Sequence, residues 1–226
     1  KNMFKDGTLI LLAMTVLMEV GCYNLYNPTN KRLIKAPPIP LNIEPVPVTV
    51  GVYYSPEFQT YEHRQVFKFY SPGAIAFQEH AVTEVISMGP ASVSLFDQIF
   101  TSLFEKTVTL ENKPAHGEQI SGVDAIIQPS IGRFNLVYPF HCKAEVQVEY
   151  QIVMYSAHGG NIGFWSAEGI VDKDVQLRLA FVWPKVLTQE AMREAASKFL
   201  IGFYDSVEVK NWIKGLHHSV KNSGEK

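Results

Sequence analysis

The 226-residue chain predicts an α+β fold, a mixed sheet with helices packed on one face. Three observations carry that expectation. Residues 144–154 alternate apolar and polar side chains with the period of a strand. Phe96, Ile99, Phe100, Leu103 and Phe104 recur at the spacing of one helical face. The periodic segments follow one another as strand, strand, helix, strand, hairpin, helix, an order in which helices cover a sheet. Composition agrees: at 46% hydrophobic and 19% charged, a chain of this length buries about 70% of its unfolded surface and needs no metal or disulfide for a core. Lys and Arg number 20 against 22 Asp and Glu, a net charge of −2, and no long basic run occurs, which argues against nucleic acid as a partner.

In chain order, Lys1 and Lys5 precede an apolar run from Leu9 to Met18, followed by Glu19-Val20-Gly21-Cys22. A positive start, a short apolar run and a small residue before the break are the parts of a secretory signal peptide, read here as residues 1–21. The run is too short to span a bilayer, which takes about 20 apolar residues in a helix. The lack of an initiator Met places the start a little inside the gene product. Six of the thirteen prolines then fall at 28, 37, 38, 40, 45 and 47, which excludes a helix and favours an extended, semi-rigid stretch. Residues 22–45 read as a proline-rich tether, about 70 Å long from Tyr23 to Pro45 at about 3.1 Å per residue. Leu33, Ile34, Ile39 and Leu41 would dock if part of it lay along the domain. No second linker or repeat follows, so residues 46–218 read as one domain and 219–226 as a tail.

Within that domain, Val46 to Tyr54 and Glu62 to Tyr70 read as strands, and Ser71 to Met88 is open between loop, hairpin arm and short helix. Pro90 to Thr107 reads as the helix. Val123 to Ile131 is an apolar run in which Pro129 points to an edge or a bulge. His158-Gly159-Gly160-Asn161 offers a hairpin turn, with Ile162 to Val171 running back as partner. Thr188 reads as the cap of a helix carrying Ala191, Ala195, Phe199 and Leu200, and Val209, Trp212, Ile213 and Leu216 mark a later helix or turn.

Two resemblances add to this. Val20-Gly21-Cys22 resembles the end of a bacterial lipobox, although Glu19 stands where that pattern has an aliphatic residue. The resemblance implies cleavage before Cys22, diacylglycerol on its thiol and, from Tyr23, export to the outer membrane. Lipidation of Cys22 leaves Cys142 without an intramolecular partner. Three further segments are Ala91 to Val108 as a helix, Val123 to Ile127 as a strand, and Val146 to Gly169 as a hairpin closing with Gly163-Phe164-Trp165-Ser166. They resemble, over roughly Ser92 to Leu200, the periplasmic lipoprotein domain of ABC-transport auxiliary lipoproteins, the curli-secretion lipoprotein, the lipopolysaccharide-assembly lipoprotein and the amino-terminal domain of the Tol propeller protein. That resemblance implies scaffolding, docking or gating of envelope machinery.

No nucleophile elbow, phosphate loop, dinucleotide fingerprint or zinc-binding helix motif is present. The seven histidines are scattered; His141 and Cys142 are neighbours in an extended segment and point to opposite faces. Glu145 and Glu149 lie about 13 Å apart along a strand, too far for paired acid-base work, and read as its wet face. No metal, cofactor or catalytic residue is expected. The aromatics are more informative. Tyr53, Tyr54, Phe58, Tyr61, Phe67, Phe69 and Tyr70 crowd into eighteen residues; they read as strand core, or, if exposed, as an interface or apolar-ligand groove. Phe164, Trp165, Phe181 and Trp183 pose the same choice. The candidate interface is therefore Tyr53, Tyr54, Phe58, Tyr61, His63 and Phe77, the functional surface being a sheet edge or the irregular stretch from Pro56 to Met88. The function expected is a non-catalytic lipid-anchored scaffold or binding lipoprotein on the periplasmic face of the outer membrane. Its partners would be the membrane through Cys22, an envelope protein complex or an apolar lipid ligand, and a second copy of the chain. The alternatives are a periplasmic enzyme acting on cell wall or lipid, recruiting His63, His80 or Asp124, and a docking activator of a cell-wall synthase.

Overall fold

A computed structural model describes residues 29–39, 44–72, 77–113, 120–137, 143–174 and 183–223. These residues divide into two compact units, one holding 29–32 and 64–85, the other 33–63 and 86–223.

Alternation builds the longest strand pair of the second unit. β7 (Lys143–Ser156) and β8 (Asn161–Asp174) run antiparallel with Tyr150 opposite Ala167 and Ile152 opposite Trp165. Every even residue of β7 from Ala144 to Met154 is buried and every odd one between them half-buried, the pattern of a sheet with one covered face. The turn joining them takes its positive φ, 82°, from Gly159, and Ser156 closes it by donating its N–H to the Gly160 carbonyl and accepting the Gly160 N–H at its hydroxyl.

On the other side β7 pairs antiparallel with β6 (Ala125–Val137). β6 pairs parallel with β2 (Val46–Tyr53), and β2 parallel with β5 (Phe104–Leu110). The five-stranded order is β5-β2-β6-β7-β8, a mixed sheet as expected of an α+β fold. Pro129 sits inside β6, but β6 pairs with β2 only over 125–127, so Pro129 lies where β7 is the strand's one ladder partner among the described residues. That edge-like position tolerates a missing N–H. The register shift falls further on, between Ile131 and Arg133.

The described residues also form four helices: α1 (Pro56–Gln59), α2 (Gly89–Leu103), α3 (Trp183–Asp205) and α4 (Val207–Ser223). α2 and α3 cover the even face of β7. Phe96 meets Tyr150 edge-on at 5.0 Å, Phe100 meets Phe199 at 6.2 Å, and Trp165 meets Phe199 at 5.8 Å. Burial of each such aromatic contributes roughly 1.5–3 kcal/mol. Inside this core the Tyr150 hydroxyl and the Ser92 hydroxyl satisfy each other at 2.9 Å. α3 approaches β8 backbone to backbone at Gly169, where a Cβ would stand 1.9 Å from the Ala191 carbonyl oxygen.

Two expectations are corrected here. The helix expected to reach Thr107 stops at Leu103, and Phe104 is already extended (φ −121°, ψ 148°). Thr107, Val108 and Thr109 are β-branched and gain more from the ladder with β2 than from a further helical turn. Thr188 is no cap: α3 begins at Trp183, with Pro184 in its first turn, and Thr188 is buried with its hydroxyl donating to the Pro184 carbonyl at 2.6 Å. The stretch Pro56 to Met88 is also more regular than its composition suggests, since it holds α1, β3 (Glu62–Pro72) and β4 (Phe77–Ser87).

In the first unit β1 (Thr29–Leu33), β4 and β3 form a three-stranded sheet in the order β1-β4-β3. β1 lies within the stretch read as tether, in its proline-free interval between Pro28 and Pro37. Glu84, 2% exposed, accepts Arg32 Nε at 2.7 Å, Arg32 Nη2 at 3.1 Å and Asn30 Nδ2 at 3.0 Å. A buried carboxylate is tolerable when hydrogen-bonded in this way. In the second unit Ile34 is buried and donates its N–H to the Ser87 carbonyl, while Gln189 of α3 donates to the Lys35 carbonyl at 2.8 Å.

Candidate binding surface

The aromatics proposed as an interface are largely core. Tyr53, Tyr54 and Phe58 are buried. The cause is local: Ser55 caps α1, its hydroxyl accepting the Phe58 N–H at 3.2 Å, and Pro56 opens the turn. The chain thereby folds back and drives Phe58 between Tyr54 (5.7 Å, stacked), Phe96 (6.0 Å) and Tyr150 (6.5 Å). The Tyr54 hydroxyl donates to Asp97 at 2.7 Å, and burial followed by that carboxylate pushes its phenol far above the usual range. Tyr61 is half-buried, with its phenol raised by desolvation, and its carbonyl accepts the N–H groups of Met88 and Gly89. His63 is half-buried with its ring 4.8 Å from that of Phe134. Phe77 and His80 are on β4, in the other unit. Cys22, His141, Cys142 and Phe181 lie outside the described residues.

Among the described residues the acids and histidines singled out do not converge. Asp124 accepts the Thr49 N–H at 2.8 Å and returns its own N–H to the Thr49 carbonyl, a clamp that starts β6 beside β2. Glu149, on the open face of the sheet, accepts the Ser166 hydroxyl at 2.7 Å and faces Arg133 at 3.8 Å. The Ser166 hydrogen bond, more than Gln151 and Arg133, lowers its pKa below the ordinary carboxylate value. Among the described residues no three His, Cys, Asp or Glu side chains gather to hold a metal.

The surface that stands out is the corner where α3 meets α4. Ile201, Tyr204 and Val207 are 63%, 37% and 63% exposed within seven residues. The corner is built by Ser206, whose hydroxyl accepts the Val209 N–H at 3.2 Å and donates to Glu208 at 2.8 Å, capping α4. Glu208 is lowered in pKa first by its own backbone N–H and then by Ser206. On one side lies an apolar groove of about 550 Å³, walled by residues 44–47, Tyr204 and Ile213. On the other lies a groove of about 510 Å³ between the first residues of β8 and Gly202, Asp205, Ser206 and Glu208. Its floor is Trp165, slotted between two glycines: a Cβ on Gly163 would fall 2.4 Å from the indole and one on Gly202 3.3 Å. Phe164 beside it is 56% exposed. Of the paired choice posed for Phe164 and Trp165, the structure takes both sides. Ile201, Tyr204 and Val207 went unnoticed in the sequence, although their apolar side chains lie off the stripe formed by Ala191, Ala195 and Phe199.

No family model matches the chain, and no curated protein matches it in sequence. Solved structures similar to it are a Xanthomonas campestris protein of the family model DUF330 (9% identity, 84% of this chain, 98% of that one, TM-score 0.46), a Caulobacter crescentus protein described as a lipoprotein (19%, 43%, 73%, TM-score 0.31) and the Neisseria meningitidis lipoprotein GNA1162 (9%, 63%, 96%, TM-score 0.33). All three scores are below 0.5.

Proposed function

We propose that the protein is a non-catalytic, lipid-anchored binding domain of the bacterial envelope that works by contact, with the α3–α4 corner as its contact surface. The observation that carries the reading is the corner itself: exposed apolar side chains between two open grooves, where an enzyme would gather acids, histidines or a metal in an enclosed pocket. Anchoring is supported by Val20-Gly21-Cys22 behind a short apolar run. The periplasmic face of the outer membrane is the location that Tyr23 favours, and an envelope transport or assembly complex is the partner class. Cys22→Ser is expected to move the chain from the membrane to the soluble fraction while its folding is unchanged. A mutant that sediments with membranes like the parent refutes the anchor, and turnover of a cell-wall or lipid substrate by the purified protein refutes the binding role.

A further inference from the structure

β8 closes one side of the five-stranded sheet, and among the described residues no strand pairs with its outer side. Exposed strand edges invite further strands, and proteins blunt them with charges, prolines or bulges. β8 is blunted only in its second half, which carries Glu168, Asp172, Lys173 and Asp174, with Lys173 bonded to Glu190 of α3. Its first half, Asn-Ile-Gly-Phe-Trp-Ser from 161 to 166, holds neither charge nor proline. That unguarded half is the stretch that walls the 510 Å³ groove. The opposite wall holds Asp205 and Glu208, and among the described residues no lysine, arginine or histidine lines the groove. Lys210, the nearby cation, donates to the Asp205 carbonyl at 3.4 Å.

A strand edge facing a helix across a groove is the arrangement in which an extended peptide binds by strand addition: backbone hydrogen bonds hold it, and alternate side chains meet the helix. We propose that residues 161–166 take an extended, basic segment of a partner protein as a sixth strand, with every second side chain a lysine or arginine set against Asp205 and Glu208. The indole of Trp165, on the face of β8 turned toward the helix, covers the aliphatic stems of those side chains. The proposal rests on the contact-domain reading above and names the occupant of one of its grooves.

The test uses the full chain in neutral detergent and a fluorescent octapeptide of alternating Lys and Thr, followed by anisotropy. Saturable binding is expected. It should weaken about tenfold or more when Glu replaces the peptide's lysines, when two of its threonines become proline, in Asp205→Asn/Glu208→Gln, and in Phe164→Lys, which places a guard on the exposed edge. No binding, or equal binding of the proline-containing peptide, overturns strand addition; equal binding of the acidic peptide overturns the charge match. Sedimentation supplies a further outcome: a dimer that Phe164→Lys dissociates and the peptide does not would assign the edge to a second copy and overturn the proposal. Failure in any of these leaves the membrane fractionation of Cys22→Ser untouched, so the two readings fail separately.

Discussion

Gly169→Ala measures how closely α3 lies on the sheet. The added Cβ would stand 1.9 Å from the Ala191 carbonyl oxygen and 2.8 Å from both the Ala191 carbonyl carbon and the Ala195 nitrogen. All three are backbone atoms, so no rotamer change relieves the clash. Cβ contacts under 3.0 Å essentially never occur, and α3 must therefore retreat by roughly 1 Å. Retreat loosens the stack of Phe199 and Phe203 on Trp165, now at 5.8 and 5.5 Å. Overpacking costs about 1–3 kcal/mol where side chains adapt, and a rigid helix puts this case at about 3 kcal/mol or more. At about 2–4 °C per kcal/mol for a chain of this size, Tm falls by about 6–12 °C. Gly215→Ala is the control: its Cβ meets nothing, and alanine in α4 should raise stability by up to about 1 kcal/mol. Thermal unfolding followed by far-UV circular dichroism compares the three proteins. A Gly169→Ala protein melting within about 2 °C of the parent would show that the helix does not seat on the strand as described.

Other outcomes follow from single interactions. Tyr150→Phe strands the buried Ser92 hydroxyl and should cost about 1–3 kcal/mol, with the double substitution Ser92→Ala/Tyr150→Phe costing less than the two singles together; urea unfolding of the four proteins closes the cycle. Arg32→Ala leaves the Glu84 carboxylate buried without its guanidinium, a loss of about 3–5 kcal/mol, read as faster amide exchange over 29–33 and 77–85. Because Glu149 is lowered in pKa in the folded chain, its contribution is present above the unfolded carboxylate pKa and lost as pH falls through the folded one. Ser166→Ala should raise the Glu149 pKa toward the ordinary carboxylate value and flatten that acid-side loss, as an NMR titration would record.

Where one face is buried and one wet, sequence is legible: the Ala144–Met154 alternation and the Phe96–Leu103 stripe each match one element of the structure. Legibility fails where tertiary contacts outvote local preference. Nothing local distinguishes Phe104 as the last residue of a helix from the first of a strand; its parallel partner Val46 lies 58 positions earlier. Thr188 has the chemistry of a cap, yet Trp183-Pro184 starts the helix a turn sooner and leaves the threonine bonding backward. The sequence leaves Tyr53, Tyr54 and Phe58 open between strand core and exposed interface; they are core, because α1 turns Phe58 inward. The groove beside Trp165 is assembled from β8 and a helix junction some 40 positions away, a juxtaposition that no window of sequence contains.

The clasp of Arg32 and Asn30 on Glu84 also shortens a leash. With β1 held in its sheet, only residues 23–28 separate Cys22 from Thr29, and six residues stretch no further than about 20 Å. A fatty chain on Cys22 would thus keep the three-stranded unit skimming its own bilayer, where a free tether would have let it roam to about 70 Å.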